Sequence, residues 1–326
     1  MRRLVLAVMA LAQLSGCSAI GVATRARTRR LARETIVGHR IDLAGDQLHY
    51  WEGGRGEQTV VLLHGFGGNA LFQWYPQMRE LSKHYRVIAP DLLWFGKSHS
   101  EHADYSLEHQ ARAVVSLLDY EEVDRAHIVG LSYGGLVTHE VLARDPGRFD
   151  RVVLVSSPAR AFHADDKKEV LAELGVASAS DLLLPRDHKG VERLMALAYA
   201  DPPWVPRFVA DDIVDHFYDP RRPHHVAMLD AVPSNTAAQR SAFAPPTHDT
   251  LIIWGHEDRV FPERAAWRLA KELGEHAHVC VFSDAAHAPH LERTDDVNRL
   301  VVGFLGGQGV TCIGRSVEVA DHPLDD

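Results

Sequence analysis

Gly130-Leu131-Ser132-Tyr133-Gly134-Gly135 decides the fold. Before it stands Ala126–Val129, an apolar run of strand character. After it, Gly134–Arg144 has helical character and is stopped by Asp145-Pro146-Gly147. A G-x-S-x-G pattern between a strand and a helix marks a sharp turn that pushes the serine into strained backbone geometry and exposes its hydroxyl above a sheet. Flanking glycines let the neighbouring elements pack close. The helix N-terminus then brings the Tyr133 N–H and its dipole to the place where an oxyanion would form.

Outward from this turn, apolar runs alternate with helix-period segments, the signature of a mostly parallel sheet. Thr59–Leu63 and Tyr85–Ala89 read as strands before it, and Val152–Val155, Leu251–Trp254 and Val279–Phe282 as strands after it. Leu107, Ala111, Val114, Val115 and Leu118 fall at helical spacing. Ile36–Leu43 and Gln47–Trp51 alternate and predict an antiparallel hairpin on one edge. From 159 to about 247 the rhythm breaks into helical pieces punctuated by prolines, with Tyr199, Trp204, Phe208, Phe217 and Tyr218 along them. That stretch reads as a helical cap inserted before the penultimate strand.

A serine hydroxyl needs a base and a carboxylate to become a nucleophile. Among 21 histidines, His287 follows the last strand directly, while His290, three residues on, reads as a surface residue of a turn. Asp258 sits in Gly255-His256-Glu257-Asp258, at the carboxyl end of the penultimate strand, where open α/β sheets place their sites. Glu257 is the neighbouring competitor. His64-Gly65-Phe66-Gly67-Gly68 follows the first long parallel strand, and its glycines let the Phe66 amide point toward that of Tyr133. Two such donors would hold an oxyanion.

Taken together, these motifs and Asp91-Leu92-Leu93-Trp94-Phe95-Gly96-Lys97-Ser98 resemble the α/β-hydrolase superfamily from about Gly38 to Leu305. The resemblance implies a triad of Ser132, Asp258 and His287, with Phe66 and Tyr133 amides as oxyanion hole and no metal or other cofactor. Trp94 and Phe95 stand where that pattern usually has Gly-x, implying a bulkier wall. The cap and the amino terminus are similar to those of bacterial lipases and esterases related to monoacylglycerol lipases. The expected activity is therefore carboxylic-ester hydrolysis through an acyl-enzyme, with the apolar cap forming an acyl pocket. The alternatives are other serine-triad hydrolases (C–C bond hydrolases, perhydrolase-type haloperoxidases, thioesterases or amidases) and a non-catalytic surface lipoprotein with this fold.

The amino terminus carries a different kind of information. Arg2-Arg3, the apolar run Leu4–Leu14 and small residues form a signal-peptide pattern, and Leu14-Ser15-Gly16-Cys17 resembles a bacterial lipobox. The expectation is a signal at 1–16, then lipidated Cys17 on a basic tether to residue 35. The hydrolase domain would span 36–305, followed by a flexible tail at 306–326. The protein would be exported and held to a membrane, on the periplasmic side or at the cell surface, through that anchor. Seven arginines and no acidic residue precede Glu34, so the formal charge of −9 becomes −16 from Glu34 onward. So acidic a body excludes a nucleic-acid partner and leaves a small-molecule ester or lipid as substrate. Three cysteines make no disulfide framework; Cys280 reads as a buried apolar residue, with pairing to Cys312 open.

Overall fold

A computed structural model describes residues 18–158, 161–232, 248–310 and 312. Strands β1 (Val37–Leu43) and β2 (Asp46–Gly54) form the edge hairpin, joined through Ala44 and Gly45. Both turn residues have positive φ (56° and 94°), as a two-residue turn matched to strand twist requires. Then follow β3 (Thr59–Leu63), β4 (Arg86–Pro90), the short β5 (His99–Ser100), β6 (Ala126–Leu131), β7 (Phe149–Val155), β8 (Asp249–Gly255) and β9 (Ala277–Phe282). The sheet runs β1-β2-β4-β3-β6-β7-β8-β9, with β5 on β2. From β4 to β9 every pairing is parallel.

All five residues of β3 and all six of β6 are buried, because helices cover both faces of the sheet. Successive residues divide between two cores. Val61, Leu63, Ile128 and Leu154 join one, and Val60, Leu62, Val129 and Val155 join the other. The next strand after β3 lies on one side of it, and β6 lies on the other. The resulting switch point, between the carboxyl ends of β3 and β6, opens the crevice in which such sheets bind ligands.

Between β7 and β8 the described chain is helical. Its α-helices are α6 (Ala164–Glu173), α7 (Ala179–Leu183), α8 (His188–Ala198), α9 (Arg207–Ile213) and α10 (Arg222–Ala231), with a wider π-type turn at Val214–Tyr218. On the core, α2 (Ala70–Gln73) and α3 (Tyr75–Leu81) follow β3, α4 (Leu107–Tyr120) precedes β6, and α5 (Tyr133–Arg144) follows it.

Two departures from the sequence reading concern the ends. The basic stretch before residue 35 is not a free tether but a helix, α1 (Ala19–Arg33), capped by Ser18 and docked on the body. Ile20, Arg27 and Leu31, at offsets of seven and four, share its inner face. Leu31 is buried, and the Arg27 guanidinium donates to the Phe72 carbonyl and lies over the Phe72 and Tyr75 rings. An arginine thus fills an inner position through its aliphatic stem, which hides the amphipathic pattern from a charge count. At the other end, Cys280 of β9 and Cys312 form a disulfide, so the start of the tail is tied to the sheet. Residues 1–16, expected to be a signal, and Cys17 lie outside the described residues, as does most of the tail.

Candidate active site

The turn at Ser132 has the strain its motif implies. Ser132 has φ 50° and ψ −116°, a conformation that costs a non-glycine residue about 1–3 kcal/mol. The surrounding glycines are fixed by space. A methyl group at Gly130 would overlap the Thr138 hydroxyl, and one at Gly134 would overlap the carbonyls of Leu63 and His64. The elbow is therefore wedged between β3 and α5, and the serine is held by bonds from its own N–H to the Val155 carbonyl and from Gly135 N–H to its carbonyl, both 2.9 Å.

Ser132 Oγ lies 2.9 Å from His287 Nε2, and His287 Nδ1 lies 2.8 Å from Asp258 Oδ2. The second oxygen of Asp258 accepts the amides of Val260 and Phe261 at 2.8 and 2.9 Å, so both carboxylate oxygens are engaged. That arrangement makes Nδ1 the protonated nitrogen of a neutral imidazole and leaves Nε2 as acceptor for the serine proton. Glu257, the competing acid, is exposed. His290 is not a surface residue: it is buried under the Trp74 ring, and burial pushes its pKa down to about 3. Its neighbours are core residues because the short helix Pro289–Glu292 turns it inward, against the expectation for a turn histidine.

The second loop, after β3, carries the amide of Phe66. His64 is fully buried. Its Nδ1–H donates to the Gly65 carbonyl at 2.8 Å, and its Nε2 accepts Leu92 N–H at 2.9 Å. Two side chains to which the sequence reading gave no part in this loop clamp it. The Gln73 side chain accepts Gly65 N–H at 2.7 Å and donates to the Gly65 carbonyl at 3.2 Å. From the cap, the Tyr218 hydroxyl donates to the Gly67 carbonyl at 3.0 Å, and Gly67 has φ 81°. Among the described residues neither the Phe66 nor the Tyr133 amide has a protein acceptor, which leaves both free to serve an oxyanion.

Asp91 organises the neighbouring loop. It accepts the amides of Ala70 and Lys97 and pairs with His49 Nδ1, each at 3.0 Å. Trp94 occupies the glycine position of the family pattern and takes a glycine-like φ of 72°. Its ring stacks on His224 with centroids 4.3 Å apart, while Phe95 packs against Phe66, Tyr133 and His225. The bulkier wall expected there is present, and the cap rests on it through His225, whose Nε2 lies 3.0 Å from the Trp94 carbonyl.

An apolar cavity of about 1190 Å³, its open mouth included, reaches Ser132. Ser132, Leu136 and Glu140, one helical turn apart, line its α5 side over about 12 Å. Val170, Leu171 and Leu183 of the cap face them, and Phe261 adjoins the His287 ring. The cap aromatics singled out in the sequence do not line it. Phe217 packs on Phe72, Tyr218 clamps Gly67, and Trp204 is 75% exposed.

The family profile described as alpha/beta hydrolase fold matches residues 58–294, and the chain belongs to that family. It is accordingly a hydrolase. It is 29% identical to the 2-hydroxy-6-oxo-2,4-heptadienoate hydrolase of Pseudomonas putida over 83% of this chain and 97% of that one. It is 30% identical to the dihydrolipoyllysine-residue acetyltransferase component of the acetoin cleaving system of Cupriavidus necator, over 82% of this chain and 68% of that one. Among solved structures, the meta-cleavage product hydrolase CumD of Pseudomonas fluorescens matches with a TM-score of 0.70 at 28% identity, covering 84% of this chain and 99% of that one.

Proposed function

We propose that this hydrolase cleaves carboxylic esters with an apolar acyl chain through a covalent acyl-enzyme. The observation that carries the reading is the apolar cavity ending at Ser132 and lined by Leu136, Val170, Leu171 and Leu183. Ser132 attacks the ester carbonyl as His287 Nε2 takes its proton, and Asp258 holds the imidazole in the required tautomer. The amides of Phe66 and Tyr133 stabilise the oxyanion, each worth ~3–4 kcal/mol when preorganised. His287 then protonates the leaving alcohol and activates the water that releases the acid. The test is a series of p-nitrophenyl esters, with mono- and triacylglycerols alongside. The expected result is kcat/KM rising at least about tenfold from acetyl to medium acyl chains, from ~1.4 kcal/mol or more of added burial. A flat or falling series contradicts an acyl pocket.

A second reading, hydrolysis of a C–C bond in a dienoate, has support at least as strong from relatives. The P. putida relative is named for that activity. Such a substrate carries a carboxylate, and Lys167 of α6 lines the cavity that reaches Ser132 as a cation for one. Turnover of a 2-hydroxy-6-oxodienoate, with KM raised by Lys167→Gln while turnover of an uncharged ester is unchanged, would favour this reading.

We further read the protein as exported and lipid-anchored at Cys17. The n-region, apolar run and cysteine support this, and so does the Cys280–Cys312 disulfide, a bond that persists in oxidising compartments.

A further inference from the structure

Trp204 is the unexplained residue of the cap. It is 75% exposed, within an exposed run from Asp201 to Trp204, whereas the other five tryptophans are at most 6% exposed. It lies outside the cavity at Ser132. Directly after it, Val205 is buried in a small cluster with Val191, Val209, Ala210 and Val214, and Ala19 of α1 packs against that same cluster. The first turn of α1 is also fastened to α9. The Asp212 carboxylate accepts the Ser18 hydroxyl at 2.8 Å and the Ile20 amide at 2.6 Å. The tryptophan loop and the beginning of α1 therefore share one end of the molecule.

Charge marks the same helix. Arg25, Arg29 and Arg33 are exposed at successive turns of α1, with no ion pair among the described residues, on a protein whose remainder is strongly acidic. Arg30, by contrast, is paired with Glu34. An unpaired basic row on the helix whose first turn joins the tryptophan loop is the chemistry of contact with anionic lipid. Arginine meets phosphate, and the amphipathic indole prefers the headgroup boundary to either water or hydrocarbon.

We propose that the Pro202-Pro203-Trp204 loop and the exposed arginine row of α1 form one membrane-contacting face, with Trp204 seated in the headgroup region of an anionic bilayer. The proposal rests on the anchored reading above, since residue 18 directly follows Cys17. Docking of α1 on the cap then fixes the orientation of the enzyme on the surface rather than leaving it on a loose leash. Two prolines before Trp204 stiffen the loop that presents the indole. A lipid anchor joined by a second contact also holds a protein far more firmly than an anchor alone.

The test uses the full chain reconstituted into vesicles of phosphatidylglycerol and phosphatidylcholine, a part of the lipid brominated high on its acyl chains. Five tryptophans are shielded by protein, so quenching of intrinsic fluorescence by bromine reports on Trp204. The expected result is clear quenching in the unmodified chain and a several-fold loss of it in Trp204→Phe. In Arg25→Gln/Arg29→Gln/Arg33→Gln, quenching should weaken toward the level seen without anionic lipid. Hydrolysis of a soluble short-chain ester should be unchanged in all of them. Vesicle association with equal or no quenching in both the parent and Trp204→Phe overturns the membrane-contacting face while leaving the anchor intact. A chain that does not stay with vesicles at all contradicts the anchor itself. Shielding of Trp204 from aqueous acrylamide without bromine quenching points to a protein partner and also overturns the proposal.

Discussion

The loops at the carboxyl ends of the parallel strands and the cap above them are held in place by different means. In the loops, backbone groups are bound one after another: Ser132 to Val155, Asp258 to Val260 and Phe261, and Gly65 to Gln73. Besides one backbone bond, from Ala288 N–H to the Ala198 carbonyl, the cap meets the core through separate side-chain clamps. Tyr218 reaches Gly67, His225 reaches Trp94, and Asp166 is paired with Arg264 and Arg268 behind β8. The difference teaches where each property resides. Proton transfer needs fixed geometry and uses the strand ends, whereas selectivity follows from side chains that line a cavity and can change without disturbing the sheet.

The largest effect should come from breaking the fixed region electrostatically. Asp258→Asn keeps the shape but favours the wrong imidazole tautomer, and kcat should fall by about 10⁴ with little change in KM. A loss below about tenfold would show that the carboxylate does not set the tautomer. Gln73→Leu comes next. It removes the clamp on the Phe66 loop without touching substrate, so kcat should fall by roughly ten- to a hundredfold, a fraction of what one preorganised donor supplies. If KM rises instead while kcat holds, Gln73 serves binding rather than oxyanion geometry.

The smallest effect concerns the join between the two regions. His225 is buried in the cap contact, and burial pushes its pKa down to about 4. In the unfolded chain it titrates near ~6.5, so between those values the unfolded state binds more protons than the folded one. Its neutral form therefore supports folding fully above ~6.5, and that support is lost as pH falls toward about 4. Thermal melting of His225→Gln from pH 7 to 5 should decline less steeply than that of the parent. Parallel curves would place the acid sensitivity elsewhere, with the buried His290 as the next candidate.

How far the sequence could be read follows the same division. The edge hairpin, the parallel strands and the elbow are local patterns: continuous apolar runs, glycine spacing and a strand-to-helix turn. The convergence of Ser132, Asp258 and His287 was readable because each follows a strand of one parallel sheet. Gln73 and Tyr218 carry no such signal. Gln73 looks like any polar residue of a short helix, and Tyr218 reaches Gly67 across 151 residues of chain. The cavity lining was misjudged for a related reason. Of the aromatics named in the cap, Phe217 and Tyr218 pack against the core and Trp204 stays exposed, while aliphatic residues together with Phe162 line the cavity. In α1, five arginines mask a docked face whose key residue is itself an arginine.

The central claim is that Ser132 is the nucleophile, raised by its elbow into contact with His287. Mass measurement of the full chain after treatment with an alkyl phosphonate tests it directly. The account predicts one adduct, on the peptide containing Ser132, with hydrolysis lost in step and neither adduct nor activity in Ser132→Ala. A labelled residue other than Ser132, or near-parental hydrolysis by Ser132→Ala, would contradict it.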